Sequence, residues 1–580
     1  MNTAEGLELE LVKQRIAPLC AFSLGREQIE QLEPSFQPLF LEKQNAQIRE
    51  ALAAVIQFGT MPFYGIRDIS PMLHTVLRGA TASARELMQA ADHAHGVAGA
   101  QSWLQSVELP MKEIHELADT MQPHLEIAEQ LERCFSPYGE VLDSASPQLR
   151  QLRRSLHQTE AELTRESQRF VQTHAAQLTD SITTTRNGRV VVLAKMAEKN
   201  SLGGFIHGES ASGATAYVEP GCLIELNNRK QMLLSRQEEE IERILKECSE
   251  RVAGVAEVYL ANLQTLALLD SLFARAQWGK KMNGVVAELT SQPSLVLTKA
   301  RHPLIDPAQV VANTYRICEP KRMLMITGPN TGGKTVSLKV IGLSVLMSYC
   351  GIPVCCEQAQ IPFFDQVFVD IGDDQSIAQS LSTFSAHLSK LARITSHATC
   401  RSLVLLDELG SGTDPREGES LAIAVLNDLR RKECLSVVTT HYGRLKLYGK
   451  RHEDILLASV QFDVEQMMPT YRFIEGLSGQ SNALEIARRF GLKDTIIREA
   501  EFLKHQQRSR EEELIEKLEA QVIENQQLKE KQEQLLQQNR QKQQELDRQL
   551  QQLDEAKQRL MDKAEKEADR YLDSVRKQAE

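Results

Sequence analysis

Met323-Leu-Met-Ile-Thr327 runs straight into Gly328-Pro-Asn-Thr-Gly-Gly333-Lys334-Thr335. An apolar strand, a glycine-rich turn and a following helix point successive backbone N–H groups at a polyphosphate. In that pattern Lys334 reaches the β- and γ-phosphates and the Thr335 hydroxyl ligates Mg²⁺. Gly328, Pro329, Asn330, Thr331, Gly332, Gly333, Lys334 and Thr335 are therefore the candidate ATP-binding residues, and Thr335 is a candidate metal ligand. Ordinary surface turns also match so short a pattern by chance, so other segments must supply the rest of a nucleotide site.

Working outward, Leu403-Val-Leu-Leu406 followed by Asp407-Glu408 reads as a buried strand ending in two carboxylates. Asp407 at such an end can hold Mg²⁺ through water, and Glu408 is placed to polarise a water for attack on the γ-phosphate. Gly410-Ser-Gly-Thr-Asp414-Pro415 then forms a turn with an acidic tip before a helix from Glu417. A further strand, Leu435-Ser-Val-Val-Thr-Thr440, ends at His441. A lone histidine after a strand is commonly structural, but a neighbouring strand would bring His441 to the same sheet edge as Glu408, where it could sense the γ-phosphate. Glu408 and His441 are the candidate catalytic residues.

The bulk properties set limits. At 580 residues several domains are expected. A net charge of −11 argues against indiscriminate coating of nucleic acid, without excluding local basic surfaces. The ten cysteines lack zinc-ligand spacing, so buried reduced thiols are expected. The N-terminus shows no signal-peptide core. No apolar run reaches the roughly 18 residues of a membrane span. A cytoplasmic chain with no membrane partner is the expectation.

Along the chain, α + α/β organisation is predicted. Residues 1–178 read as an N-terminal helical core and first arm. Leu7, Leu11, Val12, Ile16 and Leu19 recur at helical spacing, as do Leu39, Ile48, Leu52, Val55 and Ile56. Residues 179–228 turn β-branched and glycine-rich, with Asn187-Gly188 between two strand-like runs as a hairpin signal. This small β-rich clamp module is followed by return-arm helices over 229–293. Residues 294–500 alternate short apolar runs with helical segments, as an α/β domain does. Residues 501–580 form a Gln-rich coiled coil. Leu514, Leu518, Leu528, Leu535, Leu546, Leu553 and Leu560 share the a and d positions of one heptad frame. Gln521, Asn525, Gln532, Asn539, Lys542 and Gln549 occupy other seam positions, which weakens the stripe; a solvated single helix or a disordered linker fits the same residues.

Three segments together, Thr327 to Thr335, Leu405 to Pro415 and Thr439-Thr-His-Tyr442, resemble the MutS ATPases, dimeric relatives of the ABC-type ATPases. Asp370 to Ser376 and Leu381-Ser-Thr-Phe-Ser-Ala-His387 resemble that family's signature segment. The resemblance implies that Ser382 and Thr383 approach the γ-phosphate bound by the other subunit. Pro469 to Phe473 and Gly479 to Arg489 resemble the dimerisation segment. Gly65-Ile-Arg-Asp-Ile69 and Ser210 to Asn228 are similar to the second MutS subfamily, which lacks the mismatch-reading and connector domains.

That resemblance implies an ABC-type P-loop ATPase over 294–500, a homodimer with ATP and Mg²⁺ as cofactors, and arms that close around a large target. The implied targets are branched DNA, whose binding suppresses homologous recombination, and stalled or collided ribosomes, which are split. Arg186, Arg189, Lys195 and Lys199 are candidate phosphate-binding residues in the clamp module; a solvated hairpin face is the alternative. The subfamily's usual C-terminal nuclease motifs are not found, so nuclease activity is not expected of this chain. A mismatch sensor is the alternative function. A chromosome-organising coiled-coil ATPase is disfavoured, because such proteins place long coils between Lys334-like and Asp407-like elements.

Overall fold

Four helices organise the first part of the chain: α1 (Pro38–Gln57), α2 (Ala84–Ser106), α3 (Pro147–Thr173) and α4 (Gly221–Lys281). They belong to a computed structural model describing residues 6–211, 213–328, 333–372, 380–463, 468–477, 487–488, 491–506 and scattered helical positions between 521 and 561. Their starts are written in the sequence. Ser83 and Glu86 cap α2 reciprocally, and Ser146 accepts from the Leu149 N–H before Pro147 begins α3.

The 61-residue α4 is the spine. Leu266, Leu269, Leu272, Phe273 and Ala276 pack with Ile48, Leu52 and Val55 of α1 and Val97, Ala100 and Leu104 of α2. Earlier on the same helix, Ile244, Val252, Ala256 and Tyr259 pack with Leu87, Ala91 and Ala94 of α2. By length and composition one window of α4 would pass as a membrane span. Its apolar residues near the C-terminus are buried in these clusters, as a core helix requires.

His93 of α2 lies fully buried in this helical region, with its ring centroid 4.9 Å from that of Tyr259. Neither ring nitrogen has a hydrogen-bond partner among the described residues. Burial pushes its pKa down from 6.5 to about 4. The folded state therefore binds fewer protons than the unfolded chain in that window. The histidine's contribution to stability is present above pH 6.5 and is lost as pH falls towards 4, by roughly 3 kcal/mol. In denaturant titrations at pH 7 and pH 4, His93→Leu should show correspondingly less acid destabilisation than the parent. Equal acid sensitivity would assign the effect to other groups.

The β-rich module is a four-stranded antiparallel sheet of β1 (Leu178–Arg186), β2 (Arg189–Lys195), β3 (Gly204–Glu209) and β4 (Thr215–Pro220), in the order β1-β2-β4-β3. Arg186 pairs with Arg189 across Asn187-Gly188, and both turn residues have positive φ, 48° and 75°. Val192, Ala194, Ala216 and Val218 face Val171 of α3 and form the module's own core. The strands end at Pro220 and α4 begins at Gly221, so Glu225 to Asn228 are helical. Asn227 explains the seam: its side chain exchanges hydrogen bonds with the backbone of Val190 and donates to Glu219, tying β2 to the first turns of α4. Residues 221–281 are accordingly one unbroken helix.

The chain forms two compact units. The first comprises residues 1–323, 335–407 and 424–437, and the second 324–334, 408–423 and 438–580. Within the first, β5 (Glu288–Thr290), β6 (Leu295–Ala300), β7 (Asn313–Ile317) and β9 (Gln358–Pro362) make a sheet in the order β5-β9-β6-β7. A second sheet there contains β10 (Gln366–Asp370) and β11 (Ser402–Leu406), paired in parallel, and then β12 (Leu435–Thr440). In the second unit the order runs from β12 to β8 (Met323–Thr327), β13 (Ile455–Asp463) and β14 (Met468–Glu475). Helices α5 (Lys334–Tyr349), α6 (Ser380–His397) and α7 (Pro415–Arg431) belong to this α/β region. Parallel strands buried along their length explain the unbroken apolar runs read from sequence. The described positions between 521 and 561 are helical, while coiled-coil pairing of the tail lies outside the described residues.

Candidate functional site

Every residue of β8 is buried, and its last, Thr327, donates its hydroxyl to the Ala458 carbonyl at 3.0 Å. The chain then turns at Gly328 with φ 128°, a backbone conformation reserved for glycine. At the far side of the loop Gly333 has φ 94°, and a side chain there would meet the Tyr471 ring at 2.8 Å. Lys334 opens α5 and is only 2% exposed. Its ammonium donates to the Gly328 carbonyl at 2.9 Å. A buried cation so held is prepared for an anionic ligand. Pro329, Asn330, Thr331 and Gly332 lie outside the described residues.

In the first unit, Thr335 donates its hydroxyl to the Asp407 carboxylate at 2.8 Å. The two residues are 72 positions apart and meet because β11 ends beside the start of α5. A hydroxyl and a carboxylate within reach of each other are hard oxygen donors that suit Mg²⁺. The Asp407 N–H donates to the Asp370 carbonyl at 2.8 Å, which continues the β10–β11 ladder. Asp370 is buried, and its carboxylate pairs with His387 and, at 3.4 Å, with Lys390, both on α6.

Glu408 is bound to Asp407 by the next peptide and has φ 48°, an uncommon conformation for a residue with a long side chain. The surroundings hold it there. Its N–H donates to the Thr439 hydroxyl at 2.8 Å, and the Leu409 N–H reaches the Thr439 carbonyl. Gly410 follows with φ 91°, packed so closely on Gly418 that a Cβ at 418 would stand 2.2 Å from the Gly410 oxygen. Tyr442 donates its hydroxyl to the same Gly410 carbonyl at 3.1 Å. Asp414 accepts from the Arg416 N–H and caps α7.

His441 follows β12 and is exposed, with its ring 4.3 Å from that of Tyr442. Partial burial, then the positive charge of Lys334, hold its pKa below the ordinary histidine value, against an opposing pull from Glu408. This favours the neutral imidazole. In the second unit, Lys334, Glu408 and His441 share one electrostatic neighbourhood.

Ser382 and Thr383 lie in the first turn of α6, and their side chains are outside the described residues. In the β-rich module the four basic candidates have different surroundings. Arg186 stacks over the Tyr217 ring at 4.3 Å. Arg189 is engaged by the buried Glu219, at 2.9 Å, which also binds His207 and Asn227. Lys195 donates to the Ala176 carbonyl, and Lys199 pairs with Glu209 at 3.1 Å. Sequence patterns did not signal Asp370 with His387 and Lys390, nor Thr439 as the residue supporting Glu408. Only pairing between elements reveals them.

Residues 324–508 match the family described as MutS domain V. Over 500 residues the chain is 39% identical to Endonuclease MutS2 of Geobacillus sp. (strain WCH70), covering 85% of this chain and 64% of that protein. It is 38% identical over 522 residues to Endonuclease MutS2 of Halalkalibacterium halodurans, covering 88% and 66%. It is 38% identical over 502 residues to Putative endonuclease MutS2 of Bacillus subtilis (strain 168), covering 85% and 64%. The chain thus spans just under two thirds of the length of these relatives.

Proposed function

The chain belongs to the MutS2 family, and on that premise we propose that it is a homodimeric, ATP-hydrolysing clamp for branched DNA or stalled ribosomes. The observation that carries this is the meeting of Thr335 with Asp407 in the first unit, residues directly preceded and followed in sequence by the buried Lys334 and the constrained Glu408 respectively. Lys334 binds the β- and γ-phosphates, and its charge stabilises the negative charge spread over the transferred group. Thr335 and Asp407 would hold Mg²⁺, which would neutralise phosphate charge. Glu408 takes a proton as water attacks the γ-phosphorus, and the bond to the ADP oxygen breaks. Neutral His441 offers an N–H to the γ-phosphate without adding a full charge. Ser382 and Thr383 complete the partner's site.

The β-module would meet phosphates through Arg186, Arg189, Lys195 and Lys199. Because Arg189 neutralises the buried Glu219, reversing it would disrupt the module itself; Arg186→Glu is the better probe. Removing one phosphate-binding charge should flatten the slope of log affinity against log salt by about one. An unchanged slope in Arg186→Glu would remove that residue from the interface.

The decisive experiment is co-sedimentation of the full-length Glu408→Gln protein with ribosomes, beside a branched-DNA shift assay at matched salt, each with and without ATP. ATP-dependent retention on one target identifies it. ATP-independent binding to neither or both would overturn the clamp.

A further inference from the structure

Arg275, near the C-terminal end of α4, is the largest fully buried side chain among the described residues, at 1% exposure. Burying a cation is costly unless it is paired. No carboxylate pairs with it among its described hydrogen bonds and ion pairs. Its Nη1 donates instead to the Cys350 carbonyl at 2.7 Å and, more weakly, to the Gly351 carbonyl at 3.5 Å, while Nε donates to Ser271 within α4. Cys350 and Gly351 immediately follow α5, the helix that starts at Lys334 and Thr335. The guanidinium therefore occupies the negative end of the phosphate-loop helix, and the helix dipole supplies its countercharge.

A second, independent contact lies one turn on. Gly279 packs so tightly against Pro353 that an added Cβ would stand 2.6 Å from its ring. Val285 and Val354 then exchange both backbone hydrogen bonds, at 2.9 and 2.8 Å. The root of α4 and the segment leaving α5 are thus joined by a charged cap, a close-packed crossing and a β-bridge. From that root α4 runs unbroken to the clamp module at Gly221, a length of about 90 Å. A tilt of one degree at the root would displace the far end by about 1.6 Å over that length.

We propose that Arg275 is a positioning residue that couples the end of the phosphate-loop helix to the clamp arm, so that nucleotide bound at Lys334 and Thr335 sets the attitude of the β-module. A hydrogen-bonded cap suits this role better than an apolar contact. It fixes one register between the helices, whereas aliphatic surfaces slide past one another at little cost. Coupling through Arg275 rests on the proposed ATP-driven clamp.

Hydrogen–deuterium exchange on the full chain, with and without ATP and Mg²⁺, tests it, using Glu408→Gln to hold ATP unhydrolysed. The readout is the ATP-dependent change in exchange over residues 178–262. In the Glu408→Gln background, Arg275→Met should reduce that change at least fourfold while ATP affinity stays within about threefold. Gly279→Ala, which keeps the cation and wedges the crossing open, should do the same. Arg275→Lys should fall between Arg275→Met and the parent. A purely stabilising role would lower the melting temperature of all three and leave the ATP response intact, which overturns the inference. Loss of ATP binding in both Arg275→Met and Gly279→Ala would overturn it too, placing the joint within the nucleotide site's own fold. If the parent shows no ATP-dependent change over 178–262, the clamp reading fails first.

Discussion

Replacing Glu408 with glutamine is expected to lower ATP turnover by about two to four orders of magnitude, the usual contribution of a positioned general base, while ATP binding survives. The side chain keeps its size and the backbone its left-handed turn, so only the ability to take a proton is lost. That turn is a costly place for a residue with a Cβ, by roughly 1–2 kcal/mol, and it is held by Thr439 and by the Gly410–Gly418 approach. Strain maintained at an acidic residue that directly follows Asp407 in sequence has the character of a functional position. Glu408→Gly should accordingly be at least as stable as the parent and equally inactive. Single-turnover hydrolysis in both variants checks this. Turnover within threefold of the parent in Glu408→Gln would move the base elsewhere, with neutral His441 the next candidate.

Lys334→Ala should weaken ATP binding by about thirtyfold to a few thousandfold, from the 2–5 kcal/mol typical of removing one partner of a buried charge pair. Lys334 is 2% exposed and its ammonium donates to the Gly328 carbonyl. No bulk water can take its place against the phosphates. Titration with a fluorescent ATP analogue measures the effect, and affinity within threefold of the parent would exclude Lys334 from the nucleotide site. Melting temperature in the absence of nucleotide should change little, since the cost of burying the ammonium is relieved as its hydrogen bond to the Gly328 carbonyl is lost.

Much of this is legible in the sequence. The apolar run Met323 to Thr327 with the glycines after it announces a strand and a phosphate loop, because burial on both faces and positive φ each demand particular residues. Leu403 to Glu408 announces a strand ending in carboxylates for the same reason. Asn187-Gly188 marks its hairpin, since only such residues tolerate two successive positive φ values. The seam at Gly221 is harder. Glu225 to Asn228 carry no β-branched run, but they follow one, and what ends the sheet is the side chain of Asn227 reaching Val190 and Glu219.

Arg189 shows the same limit from the functional side. In sequence it is one of four basic residues in a glycine-rich span; in space its partner is Glu219, thirty positions later. Arg275 is more extreme, an unremarkable arginine in an apolar helix until Cys350 and Gly351 are placed beside it.

What the sequence determined alone was local chemistry: which segments are strands or helices, where the backbone must take positive φ, and which side chains can bind phosphate or metal. These depend on residues near one another along the chain. The tertiary structure decided which of those groups meet, as Thr335 meets Asp407 and Arg275 meets the end of α5, and whether a charge is free for a ligand or neutralised within the fold. Pairings over 72 or 75 residues are set by packing of whole elements, and no window of sequence contains both partners.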